Sequence, residues 1–589
     1  MLGKRSDQRG LLDADQFYLD FVGRGTFYGF LAAQRGQLFH DEEFAALYIL
    51  DNGRPSVPPS LLATALLLQT HDRVSDEEAK ERADFDMRWK VALGIGLDER
   101  PFAKSTLQVF RAQLILHERL QSVFKKSLRL ACQSGHLQRG KIKVALDTSY
   151  ILGRGAVKDT YNLLADGVVK LVRALATLAG VKPEEWGASH DLGRYFGSSL
   201  KGEARIDWED AQARQQLLSV IVADADRLLA ASRQALAGCA PGSDEHKRLT
   251  EAAGLLGQLL PRDIERASEG VNIKEGTAPD RVLSVHDPEM RYGHKSKSKR
   301  FAGHKAALVV DAESGLITAA AVLAGNTSDN EQALALVEQT EQNAEVEAEE
   351  AIGDCAYGDG GTRQEFADAG RQLVAKAPAR PNGACFPKED FQIDPVAKTC
   401  ICPAGHCRST LVRHSGDKGR PGKKQAQWGF RFAAAVCGSC PWQGQCVKAG
   451  PGKGRTVSLH PQEGLLQEAR AFQRSEAFAP YRRLRQVAEH RIARLMQLGV
   501  RQARYFGRVK TLGQLLLAAT VANLTLIATK IGLMRGGNGG PPRLCARALG
   551  QMSVLIAMIV SSLAHSSDLT HPACLSKAGF RPVLGWTPL

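Results

Sequence analysis

The sequence predicts an α/β protein with a helical domain in front of a mixed core. Three observations point there. Helical apolar periodicity fills residues 1–135, β-prone apolar runs begin near 141, 305, 316, 350 and 372, and basic helices return from about 464 to 533. A length of 589 residues calls for several cores. With 44% hydrophobic and 24% charged residues, the composition excludes a disordered scaffold, a fibrous protein and a membrane channel.

The first helices carry their own start signals. Val57-Pro58-Pro59-Ser60 precedes the run Leu61-Leu62-Ala63-Thr64-Ala65-Leu66-Leu67-Leu68, and proline suits a first helical turn. Ser75-Asp76-Glu77-Glu78 has capping-box spacing, and Ser105-Thr106 marks a third start. Short helices joined this way can form a helix-turn-helix that binds DNA ends, or a plain bundle. At 141–152 the pattern becomes a strand that carries Asp147. From 160 to about 273 it is helical again, an expected insertion. Residues 305–310 and 316–323 flank the turn Asp311-Ala312-Glu313-Ser314-Gly315 and predict a hairpin. Asn326-Thr327-Ser328-Asp329-Asn330 then offers N-cap chemistry, with Asp329 the expected cap. A short strand ends in Gly353-Asp354, and another spans 372–376.

Charge and cysteine are both localised. The formal net charge is +14, and residues 441–589 hold twenty Lys/Arg against five Asp/Glu, so a polyanion would meet the C-terminal region. Lys295-Ser296-Lys297-Ser298-Lys299-Arg300 is a second basic patch. Seven of twelve cysteines fall between 385 and 446. Cys402, the pair Cys437-x-x-Cys440, and Cys446 have the arrangement of a closed structural Zn2+ site, with Cys400, His406 and Cys407 as competing ligands and reduced, part-buried thiols as the alternative. No charged leader with an apolar core follows Met1, and the apolar stretch 552–563 is too short to cross a bilayer, so a cytoplasmic protein without a membrane partner is expected. No Walker A motif occurs, so no nucleotide cofactor is expected.

Strand with Asp, hairpin, helix, strand ending in Asp and a later helix with Glu is the element order of an RNase H-like core. Three carboxylates on separate elements suit two hard divalent ions, Mg2+ or Mn2+, in phosphodiester chemistry. Asp147 is assigned to bridge both ions, Asp354 to hold one and Glu489 the other, with Asp359 in reserve for Asp354.

Asp147-Thr148 with the run 151–160, Gly325-Asn326 with Asp329-Asn330, and Gly353-Asp354-x-Ala356-Tyr357 resemble the DDE transposases of bacterial insertion sequences. The block from Gly53-Arg54-Pro55 to Arg88-Trp89 resembles the helical domain that precedes their catalytic core, and the likeness runs from about 17 to 530. One branch carries Tyr, two residues, Arg, three residues, Glu, six residues, Lys. Here Arg485 and Glu489 keep the spacing, Tyr481 stands one residue early, and Met496 occupies the place of Lys. Without the resemblance, Glu489 would read as an ion-pair partner of Arg485. Arg494 or Arg501 would replace the missing Lys at the element end.

The resemblance implies cleavage at element ends and strand transfer into target DNA by a homodimer. Lys297, Lys299, Arg300, Arg485, Arg494, Arg501, Arg504 and Lys510 are the expected DNA contacts. Two other readings share the residues: a DNA-binding protein that lost catalysis, and a nuclease without strand transfer. The expected organisation is a helical domain (1–135), a first core strand (136–160), a helical insertion (161–275), core (276–380), a Cys-rich β-rich insertion (381–460), core helices with the Glu (461–535), and a glycine-led linker with an unassigned tail (536–589).

Overall fold

The computed structural model describes residues 1–5, 13–48 and 53–530, except 269, 277, 279, 297, 380–381, 415–426, 449 and 451. The glycine linker, the apolar stretch 552–563 and Lys297 lie outside the described residues.

The N-terminal region contains α1 (Ala14–Val22), α2 (Phe27–Leu38), α3 (Pro59–Asp72), α4 (Asp76–Phe85), α5 (Met87–Leu93), α6 (Lys104–Leu116) and α7 (Leu120–Gln133). Pro59 opens α3 as expected, and Ser75 caps α4 by accepting from the Glu78 N–H at 3.1 Å. Glu78 does not complete a capping box; it pairs with Arg82 at 2.7 Å. Helix α6 starts at Lys104 on Ala103, so Ser105 and Thr106 lie inside its first turn. Residues 59–69 of α3 are buried on every side, so this helix is the centre of the bundle and cannot enter a DNA groove.

The core sheet starts with β1 (Lys141–Leu152). The insertion holds α8 (Thr160–Ala179), α9 (Pro183–Ser189), α10 (Leu200–Glu203), α11 (Ala211–Ala237) and α12 (Asp244–Asp263) around its own apolar cluster. The expected helix does not run on to 273: Pro261 lies in the last turn of α12, and β2 (Ile264–Ala267) pairs with β3 (Gly270–Ile273) as a hairpin rich in β-branched residues. Then follow β4 (Arg291–His294), β5 (Arg300–Asp311), β6 (Ile317–Ala324), α13 (Ala333–Ala344), β7 (Glu347–Ile352), α14 (Gly360–Asp368) and β8 (Gln372–Val374).

The strand order β6-β5-β1-β7-β8 is antiparallel through the first three and parallel through the last three, with β4 on the start of β5. The hairpin is the expected one, and Asp311 serves its turn by accepting from the Ser314 N–H at 2.8 Å. Asp329 is not a cap: Gln332 holds that position, and Asp329 instead pairs with Lys305 at 2.7 Å. Here a neighbouring strand's cation outcompetes the local backbone.

The Cys-rich segment folds as β9 (Gln392–Asp394), β10 (Thr399–Ile401), β11 (Cys407–Arg408), β12 (Leu411–His414), β13 (Gln427–Arg431), α15 (Ala434–Gly438), α16 (Gln443–Cys446) and β14 (Thr456–Leu459) around a separate small core. The chain closes with α17 (Glu463–Arg474), α18 (Ala479–Gln497) and α19 (Arg508–Lys530). Helix α19 is long and apolar enough to cross a membrane, yet 78% of its most apolar window is buried. It packs against α3, α7 and β6, and one continuous apolar core joins the N-terminal helices to the sheet through it. The longest apolar segment among the described residues is therefore α19, a core helix.

Candidate active site

Strand pairing explains how two acids 207 residues apart meet. In the parallel β1–β7 pair, Ala145 stands opposite Ile352. Asp147 lies two residues beyond Ala145, in the middle of β1, and Asp354 two beyond Ile352, just past the end of β7, so the register brings both toward the same end of a parallel pair whose strands run about 4.8 Å apart. Each is tied to its own turn or strand: Asp147 accepts from the Thr148 N–H at 2.7 Å and Asp354 from the Ala356 N–H at 2.8 Å. Helix α18 packs across β1, β5 and β7 through the fully buried Ala488 and Leu495, which sets the neighbouring Glu489 beside the strand ends.

Electrostatics report the same meeting. The Asp147 carboxyl is pushed up to about 6, chiefly by burial, with further upward pressure from the charges of Asp354 and Glu489; the Thr148 N–H and the Arg485 guanidinium oppose the rise. The Tyr357 hydroxyl is held well above its ordinary range by burial and by Asp147, Asp329 and Asp354. A cavity of about 490 Å³ opens beside Asp354, lined also by Lys376, Tyr481 and Arg485.

Glu489 does not face its fellow acids alone. Its carboxylate pairs with Arg485 at 2.7 Å, four residues earlier on the helix. Among the described residues no group of three or more His, Cys, Asp or Glu side chains converges as a ligand set. The reserve acid Asp359 is occupied as the cap of α14, accepting from the Gly361 and Thr362 N–H groups and from Asn330.

The expected DNA contacts scatter. Arg501 donates to the Tyr150 carbonyl at 2.7 Å and lies over that ring at 3.8 Å, while Lys299 approaches the same ring at 5.9 Å. Arg504 donates to the Val74 carbonyl, and Arg494 bonds Gln497. Arg300 and Lys510 are exposed at the starts of β5 and α19. Met496 packs against the main core, so a lysine here would have to leave that surface to reach a phosphate. Tyr481, one residue off the branch spacing, bonds Glu350 at 2.8 Å. Sequence reasoning assigns no role to Lys305, which pairs with Asp329, and marks Tyr357 only through its place in the Gly353-Asp354-x-Ala356-Tyr357 motif.

Cys402, Cys437, Cys440 and Cys446 line one cavity of about 20 Å³. The Cys446 thiol is raised by burial, with Cys437, Cys402 and Cys440 adding to it against Arg455. Cys400 is fully buried in β10 and its thiol is pushed up to about 12, mainly by burial; Cys407 is exposed.

Two stretches match family models: residues 401–528 that of the transposase DDE domain, and residues 20–113 that of a transposase domain, DUF772. No curated protein and no solved structure matches the chain.

Proposed function

We propose that the chain is a DNA transposase with an RNase H-like core that cuts DNA at the ends of its element and joins the freed 3′-hydroxyl to target DNA. The observation that carries this is the parallel β1–β7 register, which sets Asp147 on β1 and Asp354 just past the end of β7, with the helix of Glu489 packed across both strands, in a chain with two transposase-type matches. The strand order, three antiparallel then two added parallel, supports the RNase H-like assignment.

The donor chemistry fits a hard divalent cation: all three are carboxylate oxygens, and burial and like charge already hold the Asp147 carboxyl up to about 6. Asp147, Asp354 and Glu489 would together hold two Mg2+ or Mn2+ ions. When bound, the ions supply positive charge to the attacking and leaving oxygens of an in-line displacement. The protein's own work is positional. β1 and the turn after β7 position two carboxylates, α18 brings the third, and Arg485 holds the Glu489 carboxylate in an ion pair. Arg501 and Lys299 around Tyr150, with Arg300, Arg494, Arg504 and Lys510, would take the backbone phosphates of the DNA. A homodimer would hold two ends together.

The test is cleavage of labelled DNA bearing the element ends, with Mg2+, by wild type and by Asp147→Ala, Asp354→Ala and Glu489→Ala. Loss of cleavage with end binding retained is expected in all three; cleavage retained in any one removes that residue from the mechanism. Binding without cleavage by wild type would instead favour a catalytically silent DNA-binding protein.

A further inference from the structure

A cavity of about 460 Å³ lies where the N-terminal helices meet the segment 498–505 and the end of β1. Its charged lining is four arginines, Arg73, Arg111, Arg154 and Arg504, against one carboxylate, Asp76. That carboxylate is already used: Asp76 pairs with Arg111 at 2.5 Å and accepts from Gln69 and Gln108. Among the described residues, Arg73, Arg154 and Arg504 have no carboxylate partner. Arg504 donates to the Val74 carbonyl and Arg154 to the Arg504 carbonyl, so two cations are tethered at the rim with charge unspent. Arg73 caps α3 at φ +60°, a left-handed position where glycine is the usual occupant, and its backbone N–H donates to the Gln69 carbonyl, while its guanidinium makes no hydrogen bond or ion pair among the described residues. Gathering three cations without an anion costs free energy, and a strained backbone adds to it.

We propose that this cavity binds backbone phosphates of duplex DNA beside the cleaved bond, with Arg73, Arg154 and Arg504 as the cations. The proposal rests on the transposase reading and extends it. The N-terminal helices and the catalytic core build one phosphate site between them, in place of a separate DNA-reading module. Arg154 lies seven residues past Asp147 on the β1 line, at most about 23 Å at 3.3 Å per residue, or about seven base pairs along a duplex. One duplex could therefore occupy both places.

The experiment is a salt titration of binding between the full chain and a fluorescein-labelled DNA duplex. Each lost phosphate contact lowers the slope of log K against log salt by about 0.9, so Arg73→Gln should lower it by about 0.9 and the triple Arg73→Gln, Arg154→Gln, Arg504→Gln by about 2.7. Arg73→Lys should restore most of the slope. The Arg73 guanidinium holds no hydrogen bond or ion pair among the described residues, so its single substitution decides the matter even where the triple variant misfolds. An unchanged slope in Arg73→Gln, with wild type binding, overturns the cavity alone. Cleavage lost in Asp147→Ala then leaves the transposase reading standing. No binding by wild type overturns both.

Discussion

Glu489 and Arg485 form an ion pair at 2.7 Å one helical turn apart, with the Glu489 side chain 49% exposed. The bond has two consequences. It turns the Glu489 carboxylate toward Arg485 along α18, and it contributes little to stability, because exposed i,i+4 pairs are worth about 0.3–0.5 kcal/mol. Glu489→Gln should therefore abolish Mg2+-dependent cleavage while leaving the melting temperature within about 2 °C of wild type. Cleavage and thermal unfolding measured on one preparation check it; a large drop in stability would show a structural role.

Asp147 should behave oppositely. Its folded carboxyl sits at about 6, above the ordinary carboxylate range, so the folded state keeps a proton that the unfolded chain has released. Metal-free stability is then fully present at low pH for this group and is lost as pH rises from about 4 through 6. Two units correspond to about 3 kcal/mol at most. Asp147→Asn should raise the metal-free melting temperature at pH 8 and flatten its fall between about pH 4 and 6, and Mg2+ should stabilise wild type but not the variant. Denaturation scans across pH with EDTA or Mg2+ test this; a variant less stable than wild type at pH 8 contradicts it.

Cys402, Cys437, Cys440 and Cys446 line one small cavity without converging as a ligand set among the described residues, so the structural zinc expected from their spacing would need the thiols to close on the ion. Purified protein should carry about one Zn2+ per chain, lost in Cys437→Ser with Cys440→Ser and kept in Cys407→Ser, since Cys407 is exposed away from the cavity lining. Metal analysis of the three proteins decides it; zinc absent from wild type rules the site out.

Asn523 on α19 is fully buried and serves three partners at once. Its carboxamide accepts from the Ile317 N–H at 2.9 Å and donates to the Ile317 carbonyl at 2.8 Å and to Ser127 Oγ at 3.2 Å. It thereby satisfies the edge strand β6 and links it to α7. Asn523→Leu should cost about 3 kcal/mol or more, because two buried backbone groups lose their partner at about 1–3 kcal/mol each. Urea unfolding measures the loss; a change below about 1 kcal/mol would mean that water or another group replaces the amide.

Much of the core was legible because its signals are local. The apolar run 141–152, the turn chemistry after Asp311 and the Gly353-Asp354 strand end each mark an element without reference to anything distant, and each element is present. The errors arose where tertiary partners override local chemistry. Asp329 has the composition of a cap but answers to Lys305 on β5, and the helical pattern past Pro261 yields to the hairpin of β2 and β3. Helix α3 reads as one helix among several, yet it is the buried axis of its bundle.

By itself the sequence determined the elements, the local turns, the concentration of positive charge near the C-terminus and the family likeness of the acids. Only the tertiary structure decided which acids come toward the same end of one strand pair, because that depends on the parallel register of Ala145 with Ile352. It also decided that three arginines from separate segments line one cavity, whereas the Glu489–Arg485 pair is local to α18 and legible from its spacing. Periodicity and capping act within a few residues and leave a trace in the chain. Strand register and the meeting of distant charges are settled by packing, which has no local trace.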